Sequence, residues 1–469
     1  MPAEFGMPVT PMPAPAPEVQ AEAEAVVAGL VAHAAGLHAA GGGDLLGCFS
    51  SVVDPRARRG VRHVLASILA MGTAAVLCGC TSLDEVTAWV SGADRRVLAA
   101  LGCRRNAVGV LTPPHPETIT RVFAQLGAQA LATHTGTFLA RRAGLGPVSF
   151  PIAAPAPLPA IAVDGKAVRG AVGPDGLVPY LLAAATHHNA AVIAERLIGP
   201  KTNEVPEFAP LLRELDAHVG LAGHVITVDA GHTVRAHAEL LSAELGAHWV
   251  MTVKANTPNL FAALDALDWA EVPVSHLSTE TGHGRRERRT IQVIDAPEHV
   301  RSLFPHVEQV FLIERYVTRK VRKRRRNSRR YTTQTITSAV AALCITSLSA
   351  REAAPEHLAG YVRGHWSIEN KIHWVRDVTY RENASRVRTA SRPRIMVTLR
   401  NLAVGLIRQA GHTKIAATIR PAPTRPTPAP DHPRPATRPS KHLMTSKNDF
   451  AVHPGVGRSS AVGVSRPLW

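Results

Sequence analysis

The chain is poor in cysteine, with five in 469 residues. A count that low and odd argues against a disulfide framework and points to a reducing compartment. Cys78 and Cys80 form a C-x-C pair with no second pair at ligand spacing, so they read as core thiols rather than a zinc site. Long apolar runs are also missing. The longest, Val64 to Cys80, is about one residue short of spanning length and is diluted by Ala, Gly, Ser and Thr, which predicts a buried helix and no membrane partner. The N-terminus has no basic segment leading into an apolar one, so no secretory signal is expected. Acidic residues are the third deficit: 36 Asp and Glu stand against 53 Lys and Arg, a net charge of +17. Such a surface suits a polyanion, because each neutralised phosphate releases condensed counterions.

What is present divides the chain into segments. Residues 1–43 are rich in Ala, Pro and Gly and read as a mobile arm. Residues 44–146 carry helical patterning and few strand signals, and PVSFPIAAPAPLP over 147–159 reads as a linker. Beyond it, short apolar strands alternate with helices: AIAV, YLLAAATHH, AVIAERLIG, a helix on PEFAPLLREL, VITV, a helix on TVRAHAELLSAEL, then HWVMTVKAN. That order predicts an α/β layer with at least one parallel pair. From about 269 to 349, strand-like runs such as RTIQVI and QVFLIERYV alternate with basic turns, predicting a β-rich insertion. Helix returns from Pro355 to about Gly411, and residues 412–469, dominated by Pro, Arg, Thr and Ser, are expected to be disordered.

Two apolar strands end in an aspartate, IAVDGK at Asp164 and ITVDAGHT at Asp229. Parallel neighbours deliver such residues to one edge of a sheet, where α/β folds hold ligands. Taken singly, Asp164-Gly165 also reads as a turn and Asp229 as an N-cap. A third carboxylate lies in YVRGHWSIENKIHWVRDVTY. On a helix, Leu358, Tyr361, Ile368, Ile372 and Val375 make an apolar stripe, and Glu369 lies off it with His365, His373 and Arg376 at i−4, i+4 and i+7 on its own face. A solvated charged face is the alternative, disfavoured by Trp366 and Trp374, which need cover. Three clustered carboxylates suit phosphodiester chemistry, since hard divalent cations prefer oxygen ligands and two of them can activate a nucleophile and neutralise a leaving oxygen.

The blocks AVDGKAVRG, KTNEVPEF, VITVDAGHT, HWVMTVKANTPNL, GHGRRERRT, VRGHWSIENKIHWVRDVTYRENASRVRT and LRNLAVGLIR, in this order, make the chain resemble the DDE transposases of bacterial insertion sequences, in particular the ISAs-type group with the H-repeat-associated proteins. The resemblance runs from about Leu45 to Arg408. VVDPRARRGVRHVLASILAMGTAAVLCG and PPHPETITRVF look like the domain preceding the catalytic one. It implies an RNase H-like mixed sheet with flanking helices and a β-rich insertion over residues 160–411. It implies Asp164, Asp229 and Glu369 as the metal-binding triad, holding two Mg²⁺ ions for which Mn²⁺ can substitute. It also implies a double-stranded DNA partner (element ends and target), a dimer or higher assembly on DNA, and a cytoplasmic, nucleoid-associated place in a bacterium. The Tyr, Arg, Glu, Lys signature of related insertion-sequence enzymes is altered: His365 stands where the Arg is expected and Arg376 where the Lys is expected.

DNA contacts are expected from His365, His373 and Arg376, from Lys166 and Lys254 near the strand ends, from Arg285 and Arg286 in GHGRRERR, and from Lys323, Arg324, Arg325 and Arg326 in RKVRKRRRNSRR. The last run, Arg319 to Arg330, reads as a hairpin tip gripping the DNA backbone, with a solvated loop as the alternative. His187, His188, His232 and His237 show no ligand pattern. The function expected is strand cleavage and transfer. The alternatives are an inactive relic that binds DNA, suggested by the Pro- and Arg-rich C-terminus, and an RNase H-like nuclease without strand transfer.

Overall fold

The computed structural model describes residues 45–59, 61–148, 156–173, 175–199, 202–282, 284–324 and 331–419. The expected arm (1–43), most of the expected linker and residues 420–469 lie outside them.

Helices open the described chain: α1 Leu45–Ser50, α2 Leu65–Leu77, α3 Leu83–Gly92, α4 Arg95–Ala100, α5 Pro116–Gln125 and α6 Ala128–Arg142. The apolar run expected to be a buried helix supplies α2, and all 13 of its residues are buried, as a helix that is apolar all round requires. No helix among the described residues is long and apolar enough to cross a membrane. None of the five cysteines forms a disulfide. Cys78 and Cys80 pack partly buried against the core.

The strands are β1 Ala160–Ala167, β2 Tyr180–Thr186, β3 Val192–Ile198, β4 Val225–Val228, β5 His248–Val253, β6 His276–Gly282, β7 Arg285–Asp295, β8 Gln309–Arg324 and β9 Tyr331–Thr346. They form one mixed sheet of nine strands in the order β3-β2-β1-β4-β5-β9-β8-β7-β6. β1, β4 and β5 run parallel and the other pairings are antiparallel. VITV of β4 is buried throughout, the signature of a strand covered on both faces. The β-rich segment is not a separate layer, since its four strands extend the same sheet outward from β5 through β9. Arg285 and Arg286, expected in a basic turn, lie on β7, because the hairpin register with β6 continues to Gly282↔Arg285.

Between and after the strands lie α7 Val205–Val219, α8 Arg235–Glu239, α9 Pro258–Asp265, α10 Glu298–Leu303, α11 Pro355–Ile368, α12 Arg392–Gln409 and α13 Ile415–Ile419. Alternation along the strands sorts the two faces of the sheet. Ile161, Val163, Leu182, Ala184 and Ile193 join the main core with Phe208 and Leu211 of α7 and with the α2 and α12 side chains. Ala162, Ala183, Ala185 and Val192 form a second, shallow cluster with Ile368 and Ile372. Three alanines on that face let α11 lie close over β1 and β4. Gly364 allows the closest approach, since a Cβ there would overlap the His187 ring.

α6 packs on β3, and α12 packs against both α2 and α6, so the N-terminal helices share the sheet's main core. α13 lies within 412–469, a stretch expected to be disordered. Ile415 and Ile419 are buried in the main core, and two apolar anchors one turn apart suffice to hold so short a helix.

Candidate active site

The parallel register pairs Val163 with Val228, so Asp164 and Asp229 follow at one level on adjacent strands. Asp164 does not end its strand, as the sequence led us to expect. β1 continues to Ala167 because β2 keeps pairing with it after β4 has stopped. The Asp-Gly pair is therefore strand, not turn. Gly165 is required there, since a Cβ would collide with the Glu204 carboxylate and the Tyr180 ring. Asp229 turns its carboxylate onto the backbone N–H of Gly231, at 2.9 Å.

Asp164 shares strand parity with Ala162 and so faces α11. Glu369 stands at the end of that helix, with its side chain 54% exposed. His373 lies between them, its Nδ1 3.6 Å from Asp164 Oδ2 and 3.8 Å from Glu369 Oε2. Ligand atoms of Asp164, Glu369 and His373 all fall within 4.8 Å of one another. Burial and the charges of Glu369, Glu204 and Asp229 push the Asp164 carboxyl well above its ordinary range. The His373 imidazole beside it holds Glu369 below its ordinary range, against burial. Burial lowers His373, which is neutral at pH 7, and its Nε2 has no protein partner.

Glu204 is a fourth carboxylate that the sequence reading did not single out. Its Oε2 accepts from His232 Nε2 at 2.9 Å, and Tyr180 also bonds to it. Burial pushes Glu204 up, but those two hydrogen bonds outweigh it and leave the carboxyl below its ordinary range. Its sequence signal was faint: it precedes the Val205-Pro206 start of α7, where an acid reads as helix-dipole complement.

The other expected contacts distribute unevenly. His365 sits under the site on Thr227, its Nδ1 3.2 Å from Oγ1, while His187 Nε2 meets the same hydroxyl at 2.8 Å. Burial pushes His365 down to about 4 and His187 to about 3, so both are uncharged at pH 7 and neither attracts phosphate as a cation. Lys166 is occupied, its Nζ 2.7 Å from Asp377 Oδ2. Lys254, just past β5, is exposed.

Arg376 does not reach the site. Its guanidinium is 1% exposed and pairs with the fully buried Glu382, which also takes Arg400. The cause is local: residues 369–373 and 375–379 are π-helical. Their i→i+5 hydrogen bonds turn the chain less per residue, so seven residues no longer return Arg376 to the face of Glu369. Trp374, expected to be covered, is 55% exposed.

Arg285 pairs with Glu287 at 2.7 Å, and Arg315 reaches the same carboxylate at 2.9 Å, so part of that basic patch is neutralised internally. Arg286 is exposed. Lys323 and Arg324 end β8. Arg325 and Arg326 lie outside the described residues. His237 stacks on Phe208, with ring centroids 4.0 Å apart, a packing role.

Comparison with known proteins adds ancestry to this geometry. The family described as Transposase DDE domain matches residues 156–406, and the one described as DDE_Tnp_1-associated matches residues 46–139. The chain is 25% identical over 384 residues to the "Putative transposase YncI" of Escherichia coli O157:H7, covering 79% of this chain and 89% of that one. It is 25% identical over 259 residues to the "H repeat-associated putative transposase YhhI" of Escherichia coli K12, covering 53% of this chain and 63% of that one. A piggyBac transposase synaptic complex with hairpin DNA is similar at a TM-score of 0.36 and 12% identity, over 80% of this chain and 76% of that one. With one family spanning the whole run from β1 to α12 and its associated family spanning the helices before it, the chain belongs to the DDE transposases of bacterial insertion sequences.

Proposed function

We propose that Asp164, Asp229 and Glu369 form the DDE site of this transposase and that it cleaves DNA at the element's ends and joins them to target DNA. The observation that carries the reading is geometric: ligand atoms of Asp164, Glu369 and His373 lie within 4.8 Å of one another, and Asp229 follows β4 at the level of Asp164 on the adjacent strand. Oxygen ligands gathered in this way are what a divalent cation needs. The donors fit: carboxylate oxygens are what Mg²⁺ and Mn²⁺ prefer, and neutral His373 can serve Mn²⁺ as well. Bound there, two ions would supply activation of the attacking oxygen and neutralisation of the leaving one.

The chain's own groups do the rest. Asp229 is oriented by the Gly231 amide, and His373 fixes the spacing of Asp164 and Glu369. Lys254 and Arg286, both exposed, are available to the DNA backbone. Three antiparallel strands followed by two parallel ones, with α11 across them, support reading the sheet as RNase H-like and β6–β9 as its insertion. The helices of residues 44–146 are assigned to recognition of the element's ends, and synapsis of two ends calls for a dimer or larger assembly on DNA. The expected site of action is the bacterial nucleoid.

The test is cleavage of the DNA flanking this gene by the full chain with Mg²⁺, wild type beside Asp229→Ala. Site-specific breaks that disappear in the variant, with DNA binding retained, are expected. Breaks that persist in Asp229→Ala overturn the triad. Nicks without joined products make the protein a nuclease, and no breaks from folded, DNA-binding wild type make it an inactive relic.

A further inference from the structure

The helical segment that carries Glu369 borders a groove of about 820 Å³ on its far side. Asn370, Lys371 and Trp374 form one wall, His188 from the β2–β3 turn another, and Arg408 and Lys414 from α12 and the loop after it a third. Three features distinguish it. None of its described lining residues is acidic, in a chain that carries 36 acids elsewhere. Its cations converge: Lys371, Arg408 and Lys414 all line it, and the Arg408 guanidinium is held in place by donating to the Lys371 carbonyl at 2.9 Å. Trp374 is the one tryptophan among the described residues whose ring is exposed, at 55%.

An indole face beside phosphate-seeking cations is the combination with which proteins hold unpaired nucleic acid: bases stack on the ring whatever their sequence, and the cations follow the backbone. A duplex hides its base faces and cannot use the ring. We infer that this groove binds a single-stranded segment of DNA, one base stacking on Trp374 and the adjoining phosphates lying against Lys371, Arg408 and Lys414. The groove begins at Asn370, one residue past Glu369, and we place it on the path of a strand end that leaves the proposed triad around this helical segment. Only this placement in the reaction rests on the Glu369 assignment; the binding does not.

The test uses the full chain in EDTA, so that no cleavage intervenes, and a short oligothymidylate carrying one 2-aminopurine. The expected result is quenching of the 2-aminopurine on binding. Trp374→Ala should bind the single strand roughly tenfold more weakly, Trp374→Phe should keep most of the affinity, and duplex affinity should be unchanged in both. Lys371→Gln should flatten the salt dependence by about one phosphate contact. Single-strand affinity unchanged in Trp374→Ala, or loss equal on single strand and duplex, overturns the inference. Because Asp229→Ala keeps the groove, Trp374-dependent binding in that background separates failure of the triad from failure of the groove.

Discussion

Glu382 is where a single change should cost most stability per atom altered. Its carboxylate is 0% exposed and accepts from Arg376 (Nη2 to Oε1 at 2.7 Å, Nε to Oε2 at 3.0 Å) and from Arg400 (Nη1 to Oε2 at 3.0 Å). Arg400 also donates to the Thr81 carbonyl at 2.8 Å, so the cluster ties the loop before α3 to α12 and the site-bearing helix. Burial alone would raise Glu382, but the two guanidiniums reverse that and hold it at about 2. Against an ordinary value of 4.5, that depression is worth about 3 kcal/mol by linkage. Glu382→Gln preserves shape and removes the charge, leaving two buried cations short of a counter-ion, which costs about 3–5 kcal/mol. Since the folded pKa lies below the unfolded one, the stabilisation is complete above about pH 4.5 and fades as pH falls toward about 2. Urea midpoints of wild type and Glu382→Gln should thus be well separated at pH 7, and the gap should narrow by about 1.4 kcal/mol per pH unit below about 4.5. A gap at pH 7 worth less than about 1 kcal/mol, or one that does not narrow in acid, would refute the reasoning.

Gly364→Ala should destabilise by about 1–3 kcal/mol and lower DNA cleavage, because the new methyl drives α11 off His187 and carries Glu369 with it; Gly360→Ala, one turn earlier in open space, should be neutral or slightly stabilising, and similar urea midpoints for the two would count against this seating. Replacing the nine cations of Arg319–Arg330 by Gln should flatten the salt dependence of DNA binding, and an unchanged slope would remove this run from the interface.

The inner sheet was legible because its signals are local. Apolar runs of four to eight residues bounded by Gly, Pro and Asp mark β1 to β5. Strands alternating with helices imply at least one parallel pair; that β1 and β4 are such a pair, with β2 and β3 between them in sequence, is what sets Asp164 beside Asp229. What could not be read was pairing at a distance. β1 outlasts its apolar stretch only because β2 runs alongside Asp164, Gly165 and Lys166, and β7 absorbs the basic residues of GHGRRERR because β6 and β8 flank them. A strand held by its neighbours does not need apolar residues to persist. Glu204 was missed for a related reason: it reaches Asp164 from a loop 40 positions later, and only the missing Cβ of Gly165 records the approach.

The helix that carries Glu369 shows how one local irregularity redistributes roles. Ideal α-helical spacing puts Arg376 on the face of Glu369. Two successive π-helical turns undo this. They draw Arg376 into the interior, where Glu382 and Arg400 hold it; Trp374, on the same segment, lies exposed in the acid-free groove. They also leave His373 between Asp164 and Glu369, as i+4 spacing alone would have it. Wide turns are the less favourable hydrogen-bonding pattern and concentrate at functional sites. Here the π turns carry Arg376 into the buried Arg–Glu–Arg cluster. The positioning of Glu369 and the stability of Glu382 are therefore one problem, and a variant that weakens the cluster without unfolding the chain should impair cleavage before it impairs DNA binding.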